Sequence, residues 1–463
     1  MTAITAESEN TPLSLGTKPI GKLLIQYSVP AIIASVATSL YNIIDSIFIG
    51  QGVGTMAIAG LAVTFPLMNL VIAFCVFIAA GGATISSIFL GQKNQSRATD
   101  VLNNVVVLSI IHSILFGGLS LFFLDEILYF FGATDATIKY AKEFMEVILY
   151  GTPISYFFIA LINLLRATGY PKKAMAISLL SVFINLCLAP VFIFIFNWGI
   201  AGAAFATICG QVLSSIGLVR HFMSRDSFVH FNRNNSFFSP TIIKRIYSIG
   251  LSPFLMNVCA CIVVIFINTA LLDYGKETGN LAIGAYGIVN RTGILFVMVV
   301  FGVTQGMQPI LGFNYGANQW ERVKRTLKIG LWAGIAITTL GFAVGELLPN
   351  EVASMFTTDS TLIEISSIGF HISFLFFPVV GGQVIIQNFF QSIGMPGISI
   401  FLSLTRQLLF LIPTLLILPY FWGVEGVWLS LSVSDLLAFI IAAITLCILL
   451  KRRKNDNQTS TII

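Results

Sequence analysis

The sequence predicts an all-α integral membrane protein with twelve transmembrane helices, arranged as two parallel six-helix repeats around a central cleft. Three observations support this prediction. Hydrophobic residues make up 56% of the 463 positions and charged residues only 10%, whereas soluble domains carry about 25% charged residues. The apolar residues fall into segments long enough to cross a bilayer. Finally, the second half of the chain repeats features of the first about 225 positions later.

The recurring residues are mostly glycine, proline and tryptophan at the ends of elements, where backbone geometry restricts the residue type. They include Gly91 and Gly316, Pro153 and Pro378, Asn163 and Asn388, and Trp198 and Trp422. Because both copies are apolar, we expect two membrane-embedded lobes. An even number of spans in each copy makes the repeats parallel, related by an axis along the membrane normal.

Short polar, glycine or proline segments separate the predicted spans. In the first repeat the spans cover 20–49, 57–90, 99–123, 138–166, 172–197 and 200–222, and in the second 244–272, 281–313, 327–348, 361–392, 397–421 and 424–450. The predicted domains are an N-terminal tail (1–19), an N-lobe (20–224), an inter-lobe linker (225–243), a C-lobe (244–450) and a C-terminal tail (451–463).

The distribution of basic residues predicts the orientation of the spans. With both termini in the cytoplasm, about twenty of the 25 lysine and arginine residues fall on the cytoplasmic side. This bias also accounts for the pI of about 8.8, so the net charge gives no reason to expect a nucleic-acid partner. We therefore expect a multi-pass protein of the cell (inner) membrane with both termini in the cytoplasm. We also expect it to be a monomer surrounded by lipid.

Several motifs fall at matching points of this plan. Asp45-Ser46-Ile47-Phe48-Ile49-Gly50 ends the first span, and Arg166-Ala167-Thr168-Gly169-Tyr170-Pro171 follows the fourth. The most specific, Gln308-Pro309-Ile310-Leu311-Gly312-Phe313-Asn314-Tyr315-Gly316-Ala317, closes the eighth. With these motifs, nearly the whole chain resembles the multidrug and toxic compound extrusion (MATE) family. That resemblance implies secondary active antiport by alternating access: amphipathic, often cationic compounds leave in exchange for H⁺ or Na⁺.

Asp45 is the principal candidate for the cation or proton site. Ionisable groups inside spans are costly and mark ion pathways, and this acid lies about 7 Å inside the outer end of span 1. Asn185 on span 5 and Thr207 on span 6 offer further oxygen ligands for a hard cation. Asn163 on span 4 is a fourth candidate, nearer the cytoplasmic end. For each of these residues the alternative is a purely structural role, because polar side chains also join membrane helices by hydrogen bonds.

The chain departs from the family pattern at one point that affects ion choice. Members of the family commonly have an acid four residues after the span-5 asparagine, and here that position is Ala189. A two-carboxylate Na⁺ site therefore cannot be carried over to this chain. A single carboxylate favours H⁺ over Na⁺ as the coupling ion, although both remain open.

Other residues are candidates for the hinge and the substrate cleft. Pro30 lies inside span 1, where it removes a backbone hydrogen bond and kinks the helix, and in the resembling family this helix bends. Its counterpart Pro253 leaves a purely architectural role open. The candidate cleft residues share polar or aromatic character near the predicted site or on span 10: Tyr41, Asn42, Gln211, Gln383 and Gln387.

The sequence also places three charged residues inside the C-lobe spans, namely Arg291, Arg406 and Asp435. Unpaired charge at that depth is strongly unfavourable, so the sequence predicts a buried pair between Asp435 and one or both arginines. If Asp435 proved unpaired, it would become a second candidate proton site.

Enzyme and cofactor chemistry have little support in the sequence. The four histidines share no metal-ligand spacing, so we expect no cofactor and no metal beyond a possible Na⁺ at Asp45. A flippase for lipid-linked oligosaccharides, from the same superfamily, is the alternative function. It would need a strongly cationic cleft. A membrane-embedded enzyme is a third hypothesis, but the chain lacks an evident catalytic set.

Overall fold

The computed structural model describes residues 13–224, 227–232 and 235–459. All regular secondary structure in these ranges is helical, as the sequence predicts. Most of the predicted N-terminal tail, part of the predicted linker with Arg225 and Arg233, and the end of the predicted C-terminal tail lie outside the described residues.

The spans are numbered here by their helices in chain order. Spans 1 to 6 are Ile20–Gly52, Thr55–Gly91, Gln95–Phe122, the pair Ile138–Tyr150 and Thr152–Ala167, Pro171–Ile195, and Gly199–Met223. Spans 7 to 10 are Pro240–Gly275, Gly279–Gly316, Trp320–Leu347, and the pair Ser360–Phe374 and Phe377–Ser392, and spans 11 and 12 lie within Pro396–Arg453.

The last helical stretch, Pro396–Arg453, contains two crossings rather than one. Its 58 residues would extend about 87 Å as a single helix, far beyond the roughly 30 Å of a bilayer core. At Gly423 the backbone leaves the helical region, with φ 56° and ψ −134°. A Cβ on Gly426 would lie 2.5 Å from the carbonyl oxygen of Leu418, so the chain turns back there. In the described residues this gives the predicted total of twelve spans.

Two spans that the sequence predicts as continuous, 138–166 and 361–392, are broken helices. Span 4 bends by 56° between Tyr150 and Thr152, and span 10 bends by 52° near Phe374. Hydropathy does not register a bend, because it depends on the composition of a segment and not on the direction of its axis. Spans 5 and 11 also differ from ideal helix: Val191–Ile195 at the end of span 5 and Thr405–Leu411 in the middle of span 11 are π-helical.

By packing, the chain divides into two compact units that do not coincide with the sequence repeats. The first comprises Met1–Val258, Gln305–Val323 and Ser392–Pro396, and the second comprises Cys259–Thr304, Lys324–Gln391 and Gly397–Ile463. The first half of span 7 and the last part of span 8 therefore belong to the first unit. Close backbone contact explains this: a Cβ on Gly250 of span 7 would overlap the carbonyl oxygen of Phe77 on span 2.

The span-8 motif is hydrogen-bonded to the short helix Ser14–Thr17, which precedes span 1. Asn314 is fully buried, and its Nδ2 donates to the carbonyl of Leu15 at 3.0 Å. The Nη2 of Arg322 donates to the carbonyls of Leu15 at 2.9 Å and Lys18 at 2.7 Å. These bonds satisfy carbonyl groups at the end of the short helix Ser14–Thr17. The asparagine of the motif therefore has a structural role here.

Candidate functional site

Asp45 lies on span 1 and is half-buried. Its Oδ1 is buried and has no hydrogen-bond partner among the described residues. Within the same residues, no lysine or arginine lies at ion-pair distance from it. A buried polar atom without a partner is rare in native proteins and indicates a functional role or a site for a ligand or water. The structure therefore leaves this carboxylate available to a proton or a cation.

Asn185 and Thr207 form a hydrogen-bonded pair between spans 5 and 6. The Nδ2 of Asn185 donates to the Oγ1 of Thr207 at 3.0 Å, and this hydroxyl donates to the carbonyl of Ala203 at 3.3 Å. Gly210 permits the close approach, since a Cβ there would lie 2.6 Å from the carbonyl oxygen of Ser181. The Oδ1 of Asn185 is buried without a partner among the described residues, so it too can accept a ligand.

Span 1 packs directly against spans 5 and 6, which sets the depth of Asp45 relative to Asn185. The rings of Phe48 and Phe194 meet with centroids 6.4 Å apart. A Cβ on Gly52 would overlap the side chain of Ile193, so these two residues are level. Asp45 lies about two turns before Gly52, and Asn185 lies about two turns before Ile193 on a span that runs in the same direction. In the described residues no hydrogen bond joins Asp45 to Asn185 or Thr207. The acid and the amide therefore lie at a similar depth on packed spans, without a direct bond between them.

Ala189, at the position that carries an acid in the resembling family, is apolar and buried. Ala189 is fully buried and belongs to the hydrophobic core of the first unit. A methyl group in packed surroundings offers neither charge nor an oxygen ligand. The site consequently contains one carboxylate, as expected from the sequence.

The two candidate cleft residues next to Asp45 differ in accessibility. Tyr41, one helical turn before Asp45, is half-buried, and its phenol lies within electrostatic range of the carboxylate. Asn42 is exposed. Its carbonyl accepts a hydrogen bond of 2.9 Å from the hydroxyl of Ser46.

Gln211 has a partner that the sequence did not single out. Its Oε1 accepts a hydrogen bond of 2.6 Å from the hydroxyl of Ser155 on span 4. Next to Ser155, the hydroxyl of Tyr156 is buried without a partner among the described residues. No signal in the sequence marked either residue, because serine and tyrosine are common in spans and their contacts depend on helix rotation.

The structure does not join Asn163 to the pair formed by Asn185 and Thr207. The Nδ2 of Asn163 donates to the carbonyl of Ile159 in its own helix at 2.8 Å. Pro30 is buried inside span 1, fifteen residues before Asp45. Its position is compatible with a hinge, which stays a prediction.

The candidate cleft residues of span 10 are buried in a polar network with span 11. The Nε2 of Gln387 donates to the hydroxyl of Ser403 at 2.7 Å, and the Nε2 of Gln383 lies 3.4 Å from the Oε1 of Gln387. Ser399 in turn donates to the carbonyl of Gln387 at 3.3 Å. Gln387 therefore joins two helices, while the Oε1 of Gln383 is buried with no partner among the described residues.

Of the three charged residues in the C-lobe spans, the structure pairs two. The Nε of Arg406 donates to the Oδ1 of Asp435 at 2.6 Å. Arg291, which the sequence grouped with them, is exposed on span 8 and lies outside this pair. Sequence position gives depth but not helix rotation, and rotation decides which arginine faces the acid. With its partner in place, Asp435 is no longer the unpaired proton site that the sequence left open.

We expect Arg406→Met to lower the free energy of unfolding by about 3 kcal/mol, because it leaves the buried Asp435 carboxylate without a partner. The double variant Arg406→Met/Asp435→Leu should recover most of the loss. Arg291→Met makes the same substitution at an exposed position and should change stability by about 0.5 kcal/mol or less. Thermal unfolding in detergent measures all three variants. Equal losses at Arg291 and Arg406 would contradict the pairing.

No group of three or more histidine, cysteine, aspartate or glutamate residues in the described part of the chain could hold a metal ion. Taken together, the helical spans and the unpartnered carboxylate of Asp45 define a polytopic membrane protein with an intramembrane polar site. The MatE family model matches residues 30–191 and 249–416, more than half of the chain. The protein therefore belongs to the MatE family.

Similar proteins cover nearly the whole chain. The chain is 24% identical over 423 residues to the multidrug export protein MepA of Staphylococcus haemolyticus, across 91% of this chain and 92% of that protein. It is 25% identical over 440 residues to MepA of Staphylococcus aureus, across 95% and 96%.

Solved structures show the same fold. An outward-facing multidrug resistance MATE family transporter of the MOP superfamily matches with TM-score 0.90 at 23% identity, covering 95% of this chain and 98% of that one. A MOP superfamily transporter from Pyrococcus furiosus matches with TM-score 0.89 at 23% identity, covering 96% and 98%.

Proposed function

We propose that this protein is a secondary active multidrug exporter that moves amphipathic, often cationic compounds outward in exchange for H⁺ or Na⁺. The observation that carries the proposal is the buried, unpartnered Oδ1 of Asp45. Relatives over more than nine-tenths of the chain are named multidrug export proteins, which supports the substrate class. The chain contributes binding groups and no bond-making chemistry.

Coupling follows from the electrostatics of a single carboxylate in an apolar bundle. A lone charge at membrane depth is unfavourable, so Asp45 is most stable when a proton, a metal cation or a cationic substrate neutralises it. If ion and substrate cannot bind together, the release of one accompanies the uptake of the other. Differential affinity of the two conformations for these ligands then drives alternating access.

H⁺ is the favoured coupling ion. Protonation needs only the carboxylate, which the site provides, whereas a hard cation such as Na⁺ takes several oxygen ligands. The partner-free Oδ1 of Asn185 and the hydroxyl of Thr207 are the oxygens that a Na⁺ site would use. However, Ala189 supplies no second acid beside them.

The distribution of charge supports export rather than oligosaccharide flipping. A flippase cleft would need several accessible cationic side chains to hold pyrophosphate. Arg406 is paired with Asp435, so its charge is not available for that purpose. We also propose that both termini are cytoplasmic and that the protein works as a monomer in the cell membrane.

We expect a pH jump to drive export in proteoliposomes that contain the purified protein and ethidium. A gradient of one pH unit corresponds to about 1.36 kcal/mol per proton, so a one-for-one exchanger should reach a substrate gradient of about tenfold. A Na⁺ jump at constant pH should leave ethidium at its starting distribution. Export driven by Na⁺ alone would overturn the choice of H⁺, and no response to either ion would overturn antiport itself.

A further inference from the structure

A shallow groove of about 670 Å³, wide open to its surroundings, runs along the second half of span 6. Among the described residues it is lined by side chains between Val212 and Ser224. Ile216 is 62% exposed and Met223 is 68% exposed, so the groove presents apolar surface to its surroundings. Because span 6 crosses the bilayer, those surroundings are lipid rather than water.

Basic residues gather at the end of this groove. Arg220 is exposed and lines it. On the neighbouring span 5, the Nζ of Lys173 lies 5.1 Å above the ring of Tyr170, and this ring lies 4.6 Å from the ring of His221. Lys173 is also within electrostatic range of His221. Arg220 therefore places one positive charge in the groove, and Lys173 places a second one next to His221, the residue that follows Arg220.

The packing of spans 5 and 6 fixes the depth of these charges. A Cβ on Gly217 would lie 3.6 Å from the side chain of Ile177, so these two residues are level. Lys173 is one turn before Ile177, and Arg220 is about one turn after Gly217 on the oppositely directed helix. The two cations consequently lie at about the same depth, on the side predicted to be cytoplasmic.

A third feature lies within the groove. Ser215 lines it, is 8% exposed, and has a buried Oγ without a hydrogen-bond partner among the described residues. Serine in a helix usually bonds to a carbonyl of the preceding turn, whereas the hydroxyl of Ser215 makes no such bond and is available to another acceptor. Ser215 is five residues from Arg220, about 7.5 Å along the helix and toward the bilayer centre.

We propose that this groove binds an anionic glycerophospholipid of the bilayer. The phosphate lies between Arg220 and Lys173, an ester carbonyl on the acyl side of the phosphate accepts from Ser215, and an acyl chain follows Val212 and Ile216. Charge complementarity selects an anionic lipid over a zwitterionic one, as in other basic pockets between membrane helices. This site is separate from the polar groups around Asp45.

Native mass spectrometry of the full chain in detergent tests the proposal, with equal amounts of dioleoyl phosphatidylglycerol and dioleoyl phosphatidylcholine added. The wild type should retain phosphatidylglycerol. Lys173→Gln/Arg220→Gln should weaken its retention about 30-fold. The control Lys22→Gln/Lys93→Gln removes the same charge from two exposed lysines elsewhere and should retain the lipid as the wild type does.

Two further variants test the apolar groove and the hydroxyl. Ile216→Trp fills the groove and should abolish retention, whereas Leu119→Trp, at an exposed position on span 3, should not. Ser215→Ala should weaken retention about fivefold, the usual effect of one hydrogen bond. Equal retention of both lipids, or unchanged retention in the charge and groove variants, overturns the proposal. Displacement of the lipid by micromolar ethidium would assign the groove to transported compounds and also overturn it.

Discussion

Asp45→Asn is expected to reduce ion-coupled export to the background of a strain that lacks the protein, while the protein still folds and inserts. The substitution keeps the size and polarity of the side chain but removes the charge and the proton that our mechanism requires. Because the Oδ1 of Asp45 has no partner among the described residues, the change breaks no hydrogen bond or ion pair there. Ethidium efflux from energised cells measures the loss, and membrane protein levels measure folding.

The matched control for this experiment is Asp273→Asn. Asp273 is exposed near the end of span 7, so the same chemical change removes an acid that the proposed mechanism does not use. Asp45→Glu keeps a titratable group and should retain partial efflux. Normal efflux by Asp45→Asn, with normal protein levels, would remove Asp45 from the mechanism.

Gly250→Ala should destabilise the protein by about 3 kcal/mol or prevent folding altogether. A Cβ on Gly250 would overlap the carbonyl oxygen of Phe77, so spans 2 and 7 would have to separate along their contact. Overpacking against backbone usually costs about 1–3 kcal/mol and sometimes more, since a helix cannot rotate away as a flexible side chain can. The thermal midpoint in detergent, followed by size-exclusion fluorescence, measures the effect.

Gly118→Ala is the appropriate comparison for Gly250→Ala. Gly118 is also helical, but a Cβ there would meet nothing within 4 Å, so the variant should be as stable as the wild type or slightly more stable. If both variants kept the wild-type midpoint, the close contact between spans 2 and 7 would be refuted.

The hydrophobic pattern was sufficient to predict the spans because membrane insertion depends on local composition. A window of about twenty apolar residues favours the bilayer whatever its neighbours are. The predicted boundaries of span 2, 57–90, accordingly differ by only two residues and one residue from Thr55–Gly91. Asp45 was identifiable for the same reason, since an acid in such a window is conspicuous without any knowledge of its contacts.

Contacts between spans were much less predictable. Arg291 and Arg406 were equivalent candidates for Asp435 in the sequence, and only Arg406 faces it. No feature of the sequence predicted the hydrogen bond between Ser155 and Gln211. Gln387 was a candidate cleft residue in the sequence, and only the structure shows that it joins spans 10 and 11.

The sequence by itself determined the membrane class, the number of spans, their repeat and the position of Asp45 near the outer end of span 1. These properties depend on the transfer of short segments into lipid and on residue identity. The tertiary structure alone decided that Asn185 meets Thr207, that Arg406 neutralises Asp435, and that part of span 7 packs with the first unit. Such pairings depend on the rotation, depth and bend of each helix, which are set by packing among residues far apart in the chain.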